Sequence, residues 1–507
     1  MALLRLGLLG AVIASWAVYR RSYTYSHDIV TPLECSQQSN DALSRFSRCL
    51  QFPSVSDVSA NFHVREEKVF QDMIDHLSTS YSLVWSTLEV EVVGNGRLSL
   101  LLTWRGSDPS LLPVLLISHY DVVPVTPGTE GDWSYPPFSG AVEEGHIWGR
   151  GSIDVKFSVI CILEAFSQLI SVGRQPKRTI MFVVGQDEEV GGTHGAQMTA
   201  ELFASRGIKF DIAIDEGGVI LSEGLAPFTT TPVALIGTSE KVYTMVEVNI
   251  SSRGGHSSMP PTDGSDVGSQ IAKLITFTRD HPFPSVLRQP TTGFFKALAP
   301  HCKNPILRLI TAHLDSWPLS IIMAPAIAYM SSETAAQVRT TIAVVNVTTG
   351  VANNVLPQHG SIRFNLRSHP GDSSHEGMLQ YFNHAISHLK LNASATLMTF
   401  GDSGPPPMVT NSDGSHFQAV QKAIKEIWEH EGLHIAVAPF LLTGGTDSRH
   451  YAHLSEHGVL RFCPLTFSKS KGDLGRVHGT NERVSIHDFY KGLCTYQRII
   501  QLMAIDI

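Results

Sequence analysis

Histidines and carboxylates stand just beyond short apolar runs of this 507-residue chain, where several of them could share a cation. Ser118-His119-Tyr120-Asp121 closes the run Leu111 to Ser118. His119 and Asp121 are two apart, so on extended backbone both side chains point to one face. Gly149-Arg150-Gly151-Ser152-Ile153-Asp154-Val155-Lys156 precedes a long helical stretch, Asp187-Glu188-Glu189 follows Thr179 to Val184, and Asp215-Glu216-Gly217-Gly218 follows Asp211 to Ile214. Val477-His478-Gly479-Thr480-Asn481-Glu482 comes late in the chain. Taken singly, each is an ordinary turn residue, cap or solvated acidic pair. Taken together, carboxylates at successive strand ends repel one another unless water or a cation separates them. Two imidazoles and several carboxylates so placed suit a pair of zinc ions bridged by one carboxylate.

The elements that must position these groups can be read from periodicity. Leu111 to Ser118, Thr179 to Val184, Asp211 to Ile214 and Gly458 to Cys463 are short apolar runs, as expected of strands buried on both faces. Phe157 to Ile170 reads as a helix between the first two, and Glu66 to Leu77 as an amphipathic helix. Strands alternating with helices predict an α/β sheet, whose ligands gather beyond the carboxyl ends of the strands. From Val242 the pattern changes to alternating strands followed by a helix near Glu376 to Leu389, an antiparallel α+β pattern. The Pro- and Gly-containing stretch Phe400 to Pro407 closes it, and an amphipathic helix resumes at Gly414 and ends at Gly432. A smaller domain, residues 240–403, is thus expected inside a larger one formed by residues 30–239 and 404–507.

The order His-x-Asp, Gly-Arg-Gly-Ser-x-Asp-x-Lys, Glu-Glu, Asp-Glu-Gly, Gly-Gly-His-Ser-Ser, Asn-x-x-Pro and a final His resembles the di-zinc metallopeptidase family of aminoacylase, carboxypeptidase G and carboxypeptidase S, from about residue 50 onward. Gly106-Ser-Asp-Pro-Ser, Asp121-Val-Val-Pro, Pro137-Phe-Ser-Gly and Gly445-Thr-Asp-Ser-Arg are most similar to the branch that makes and hydrolyses N-fatty-acyl amino acids. The resemblance implies a zinc-exopeptidase-like catalytic domain, with a mostly parallel central sheet flanked by helices, and an inserted α+β lid or dimerisation domain. It implies two Zn2+ per subunit, with Asp154 bridging and His119, Glu189, Asp215 and His478 as the other ligands. Asp215 and Glu216 flank one turn, and the family uses either acid there. Glu188 becomes the general base that carries a proton from the attacking water to the leaving amine, and Asp121 the carboxylate that holds the other nitrogen of His119. His256, in Gly254-Gly255-His256, resembles the histidine that stabilises an oxyanion from the partner subunit. Asn354 and Arg367 resemble contacts to the substrate carboxylate, joined by Gly445 and Thr446 through backbone N–H groups.

The implied activity is hydrolysis of the amide between a fatty acyl group and an amino acid, and its reversal. A carboxypeptidase S-like exopeptidase and an inactive, metal-free binding relative are the competing readings. Residues 282–330 carry Phe294, Phe295, Ile306, Trp317 and Ile321 and are too long for a plain connection. They read either as an apolar wall for an acyl chain or as a helical hairpin buried in the lid core. The expected partners are a small-molecule substrate, a lipid or lipoprotein surface, and a second subunit paired through the lid.

The rest of the sequence excludes more than it assigns. With 38 basic and 46 acidic residues the formal charge is -8, and no basic stripe of the kind nucleic acids require is present. Six cysteines permit a disulfide or two without demanding one. Residues 1–21 read as a signal peptide, or as an uncleaved signal anchor, since Leu6 to Tyr19 is short for a membrane span. Either sends the chain outside the cell or into an endomembrane lumen, which the sequons at Asn249, Asn346 and Asn392 fit. His430-Glu431-Gly432-Leu433-His434 spells a zincin motif, but the expected helix end at Gly432 separates its histidines. Neither G-x-S-x-G nor a Walker loop occurs.

Overall fold

The computed structural model describes residues 39–372, 375–398, 408–430 and 433–507. The expected leader, residues 1–21, and the closing stretch Phe400 to Pro407 lie outside the described residues. A ten-stranded sheet forms the larger layer. At its centre Val114–His119 runs parallel to Ile180–Gly185 on one side and to Ile212–Asp215 on the other, and Val459–Arg461 extends the parallel set. Antiparallel pairs flank this centre, Glu89–Val93 and Ser99–Trp104 at one margin and Val233–Glu240 toward the other. The two-residue period sorts the side chains between the faces. Leu100, Leu102, Leu116, Phe182 and Ile214 join one core, against Lys156–Ser171, Ser415–Trp428 and Ile486–Ile500. Leu101, Leu115, Ile117, Met181 and Ala213 join the core on the other face, under Ala196–Ser205. Burial on both faces explains the near-continuous apolar composition of these strands. The parallel strands end together at His119, Gly185 and Asp215, and the acidic segments begin there.

The chain leaves this sheet at Glu240 and enters a second one at Val242. Four antiparallel strands lie in the order Thr341–Thr349, His359–Ser368, Val242–Ser251, Ala393–Met398. Alternate residues Val246, Val248, Ile250, Phe364 and Leu366 pack under Val267–Asp280 and His375–Leu389. The helices of residues 291–330 do not bury themselves in this lid core. Phe294, Phe295, Leu298 and Ile327 share a cluster with Val233, Leu235, Ala436 and Ala438 of the large sheet, and the Phe294 and Phe440 rings lie 6.2 Å apart. The strands Val233–Glu240 and Ala436–Leu442 present an apolar face that these helices cover, together with Phe228, Ala335 and Val338. The helix Ser415–Trp428 ends four residues before the expected Gly432, with Glu429 extended (ψ 143°). His430 therefore lies beyond the helix and bridges Leu433, while residues 431 and 432 lie outside the described residues.

Candidate active site

The acidic strand ends converge on one point. His119 is buried, and its Nε2 lies 3.2 Å from Asp154 Oδ1, 3.5 Å from Glu216 Oε1 and 3.9 Å from Glu188 Oε2. The Nδ1 of the same ring faces Asp121, 3.3 Å from Oδ1 and 3.1 Å from the backbone oxygen. Asp121 also orders the Glu188-Glu189 turn, because its two carboxylate oxygens accept the N–H groups of Glu188 and Glu189 at 3.1 and 3.2 Å. The second oxygen of Asp154 lies 3.0 Å from His478 Nε2, which is 3.1 Å from Glu189 Oε2. Two groups of ligand atoms therefore form, His119/Asp154/Glu216 and Asp154/Glu189/His478, with Asp154 common to both.

Asp215, expected among the ligands, stands in neither group. Its Oδ1 accepts the Glu216 N–H and its Oδ2 the Ser448 N–H, each at 2.8 Å, so both oxygens are committed to backbone. Strand alternation turns it to the same face as Ala213, and Glu216 takes the place facing His119. A residue without an assigned role in the sequence, Glu482, fixes the bridging loop. This fully buried carboxylate accepts N–H bonds from Ile153 (2.8 Å), Asp154 (3.2 Å) and Gly151 (3.0 Å) and from Arg150 Nη1 (2.7 Å). Arg150 Nη2 in turn donates to the His478 oxygen at 3.1 Å, tying the His478 turn to the Asp154 loop. Gly151 has φ +82°, and a Cβ there would come within 2.5 Å of Val122, so only glycine fits this turn.

The electrostatics of these groups call for cations. Burial, then the neighbouring Asp154, push the Glu216 carboxyl up to about 8 and Glu189 up to about 7. Burial also raises Glu188 well above the ordinary carboxyl range. Hydrogen bonds to Asp154 and Glu189 lift His478 to about 10. Glu189 Oε1 is buried with no hydrogen-bond partner. Such a cluster must either hold protons or surround positive charge, and three acids with two imidazoles, one acid shared, are the donor set for two divalent ions.

One cavity of about 1650 Å3 opens from this cluster. Glu188, Asp154 and Glu216 line one part, Lys241, Arg367 and Arg449 another, and Phe228, Phe294, Phe295, Ile327 and Met330 a third. The Arg367 guanidinium lies over the Tyr243 ring, 4.9 Å from its centroid. Gly445 lines the cavity beside Arg449. Thr446 is also there, but its N–H donates to Glu240 at 3.0 Å, so it positions Glu240 instead of offering that donor to a ligand. Glu240 is held from the other side by buried Arg461 at 3.1 Å. His256 and Asn354 do not line this cavity. They sit exposed on a small ribbon, Gly255–His256 paired with Val355–Leu356, where Ser257 N donates to Asn354 O at 3.2 Å. Arg449, Lys241 and Tyr243 were not singled out from the sequence. Only Arg449 carried a signal there, as the cation closing Gly445-Thr-Asp-Ser-Arg.

A parallel-centred α/β sheet that gathers acids and imidazoles at its carboxyl edge, beneath an inserted lid, defines an amide hydrolase of the zinc-dependent metallopeptidase class. Residues 115–502 match the model of peptidase family M20/M25/M40, and the chain belongs to that family. It is 32% identical over 508 residues to an N-fatty-acyl-amino acid synthase/hydrolase of Danio rerio, covering 97% of this chain and 94% of the relative. It is 31% identical over 460 residues to a probable carboxypeptidase S-like 2 of Dictyostelium discoideum, covering 90% and 84%. Among solved structures, it superposes on an M20 family metallo-carboxypeptidase of Sulfolobus solfataricus with a TM-score of 0.66 at 16% identity, covering 91% of this chain and 98% of the other. Human carnosine dipeptidase 1 superposes with a TM-score of 0.60 at 15% identity, covering 92% and 96%.

Proposed function

We propose that the protein hydrolyses, and in reverse assembles, N-fatty-acyl amino acids at a two-zinc centre. The observation that carries this reading is the continuity of the cavity, from the acid cluster past cationic side chains to an aromatic and aliphatic wall. Its volume of about 1650 Å3 exceeds the roughly 300 to 1,000 Å3 of ordinary small-molecule pockets, and a dipeptide would leave the apolar end unfilled. Each methylene of an acyl chain placed there would add about 0.8 kcal/mol to binding.

His119, Asp154 and Glu216 would hold one ion, and Asp154, Glu189 and His478 the other. Zinc, when bound, supplies Lewis acidity toward the carbonyl and acidifies water. Glu188, held at its backbone by Asp121, takes the proton of the attacking water and delivers it to the amide nitrogen as the C–N bond breaks. A carboxylic acid and a free amino acid leave, and condensation retraces the same proton path. Arg367 and Arg449 would pair with the amino acid's carboxylate, with Gly445 alongside.

His256 and Asn354 lie away from this subunit's own cavity, which supports the reading that they serve the site of a second copy paired through the lid. The lid's edge strand Thr341–Thr349 leaves Val344, Val345 and Val347 exposed, as an unpaired strand awaiting a partner does. The outer faces of Pro305–Ala312 and Trp317–Met330 expose Ile306, Leu309, Trp317, Ile321 and Ile322, an apolar area suited to a lipid surface. Secretion is favoured by the leader sequence, by exposed sequons at Asn249, Asn346 and Asn392, and by a disulfide at Cys494. Among the described residues no helix is long and apolar enough to cross a membrane.

Product analysis on N-oleoyl-phenylalanine and benzyloxycarbonyl-Gly-Leu tests the substrate class, with Glu188→Gln as control. Turnover of the first, abolished in the variant, is expected. Turnover of the peptide alone would make the protein a carboxypeptidase S-like exopeptidase, and a protein that takes up no zinc and turns over neither would be a binding relative.

A further inference from the structure

The strand that ends in Asp215 begins just after a second cluster of metal-ligating side chains, at the opposite edge of the sheet. Asp211 is largely buried, and its carboxylate receives two imidazoles from separate segments. His416, in the first turn of Ser415–Trp428, places Nε2 2.8 Å from Asp211 Oδ2. His457, in the turn before Val459–Arg461, places Nδ1 3.0 Å from Oδ1. The two rings lie 5.0 Å apart with their planes 36° from parallel, so both converge on the one carboxylate. The three ligand atoms lie within 4.8 Å of one another, as do those of the two groups in the active site.

We propose that Asp211, His416 and His457 form a further transition-metal site, of the zinc class, separate from the catalytic pair. Two imidazole nitrogens and one carboxylate oxygen form the donor set that zinc accepts, and a three-ligand site keeps a fourth position for water. The His457 side chain is 54% exposed, so that position can open to solvent. Arg178 also donates to Asp211 Oδ2, and it bonds the Leu112 oxygen at 2.9 Å. It holds the carboxylate in place, as residues behind a metal ligand do, while its charge weakens the site for a dication. The site therefore fills at higher free zinc than the catalytic pair. Burial works to raise the Asp211 carboxyl, but His416, Arg178 and His457 keep it below its ordinary range, so the ligand is an anion. Glu216 follows Asp211 by five positions, which at about 3.3 Å per strand residue puts their backbones roughly 17 Å apart, too far for shared ligands. An ion here would staple the start of a central strand to the helix and turn supplied by the chain's last hundred residues.

Equilibrium dialysis of the full chain against zinc chloride, with elemental analysis and a thermal shift at each concentration, tests this. The wild type should take up about three zinc ions per chain, the third at higher free zinc and with its own rise in Tm. The double variant His416→Gln/His457→Gln should stop at about two and lose that last rise. His457→Gln alone, at a half-exposed position, gives the same reading if the double variant does not fold. A wild type that saturates at two, or a double variant that still binds three, overturns the site while leaving the catalytic pair as read. An Asp154→Ala variant should keep the weaker ion, and a variant that keeps none also overturns the proposal.

Discussion

Glu482→Gln isolates how the bridging aspartate is held. The carboxylate receives two N–H groups on each oxygen, Ile153 and Asp154 on Oε1, Gly151 and Arg150 on Oε2. An amide of the same shape has one oxygen, so its NH2 group must face two donors. If the oxygen stays with Ile153 and Asp154, the buried Arg150 guanidinium loses its counter-charge. Breaking a buried ion pair in this way costs about 3 to 5 kcal/mol, and a hydrogen bond to a charged group about 1.5 to 3 kcal/mol. These describe overlapping losses, so about 3 to 5 kcal/mol is the expected destabilisation. Both groups are almost wholly buried, so solvent screening does not reduce it. The displaced backbone carries Asp154, and Arg150 also carries the His478 turn. A shift of about 1 Å at a reacting site lowers rate about 100-fold. Differential scanning fluorimetry with saturating zinc, zinc content per chain, and kcat/KM on an N-acyl amino acid read all three effects. We expect Tm down by several degrees, zinc content reduced and kcat/KM down about 100-fold. A variant with wild-type Tm and full zinc would show that Glu482 does not hold the loop.

Four further outcomes follow from the same geometry. Asp121→Asn removes the charge behind His119 and should lower zinc affinity about 10- to 100-fold, read by competition with a chromophoric chelator. With zinc stripped, Glu189 and Glu216, at about 7 and 8, bind protons in the folded chain that the unfolded chain has lost above ordinary carboxyl pKa, and His478, at about 10, extends this upward. The folded state then binds more protons, so apo stability should fall from about pH 4.5 toward pH 7, above which Lys241 and Lys156, lowered by burial to about 7 and 8, work in the opposite direction; a Tm that climbs from pH 4.5 to 7 would refute it. Phe294→Ser with Phe295→Ser should cost far more activity on oleoyl than on acetyl substrates, by about 0.8 kcal/mol per methylene that loses contact, and equal losses on both would remove the acyl wall. Arg449→Ala should raise KM for carboxylate-bearing substrates about 10- to 100-fold, the value of a charge-assisted pair, while an N-acyl amide lacking the carboxylate should show no change.

Part of the candidate site was legible because a near-continuous apolar run stops at a strand end and charged residues follow it. His119, Glu188 and Glu189 stand out in that way, whereas Asp154 precedes the helix Lys156–Ser171 and His478 lies in a turn, and both were legible through the family resemblance. Asp215 against Glu216 was open because both occupy the end of one strand. The alternation that sends Ile212 and Ile214 to one core and Ala213 to the other also sends Asp215 away from the cluster, which is a signal the sequence carries once the strand's register is known. Glu482 could not be read so directly. It lies four residues after His478 in an irregular turn, and its partners are backbone N–H groups of residues more than three hundred positions away. The attachment of residues 291–330 was equally hidden, because an apolar helix does not say which apolar face it will cover. Val233–Glu240 and Ala436–Leu442 supply that face only after pairing with each other. The same contact shapes the cavity. By docking on the large sheet instead of the lid, these helices place Phe294 and Phe295 along the cavity wall that begins at Glu188. The apolar wall on which the proposed acyl-chain specificity rests therefore depends on a packing choice that no residue of the acid cluster encodes.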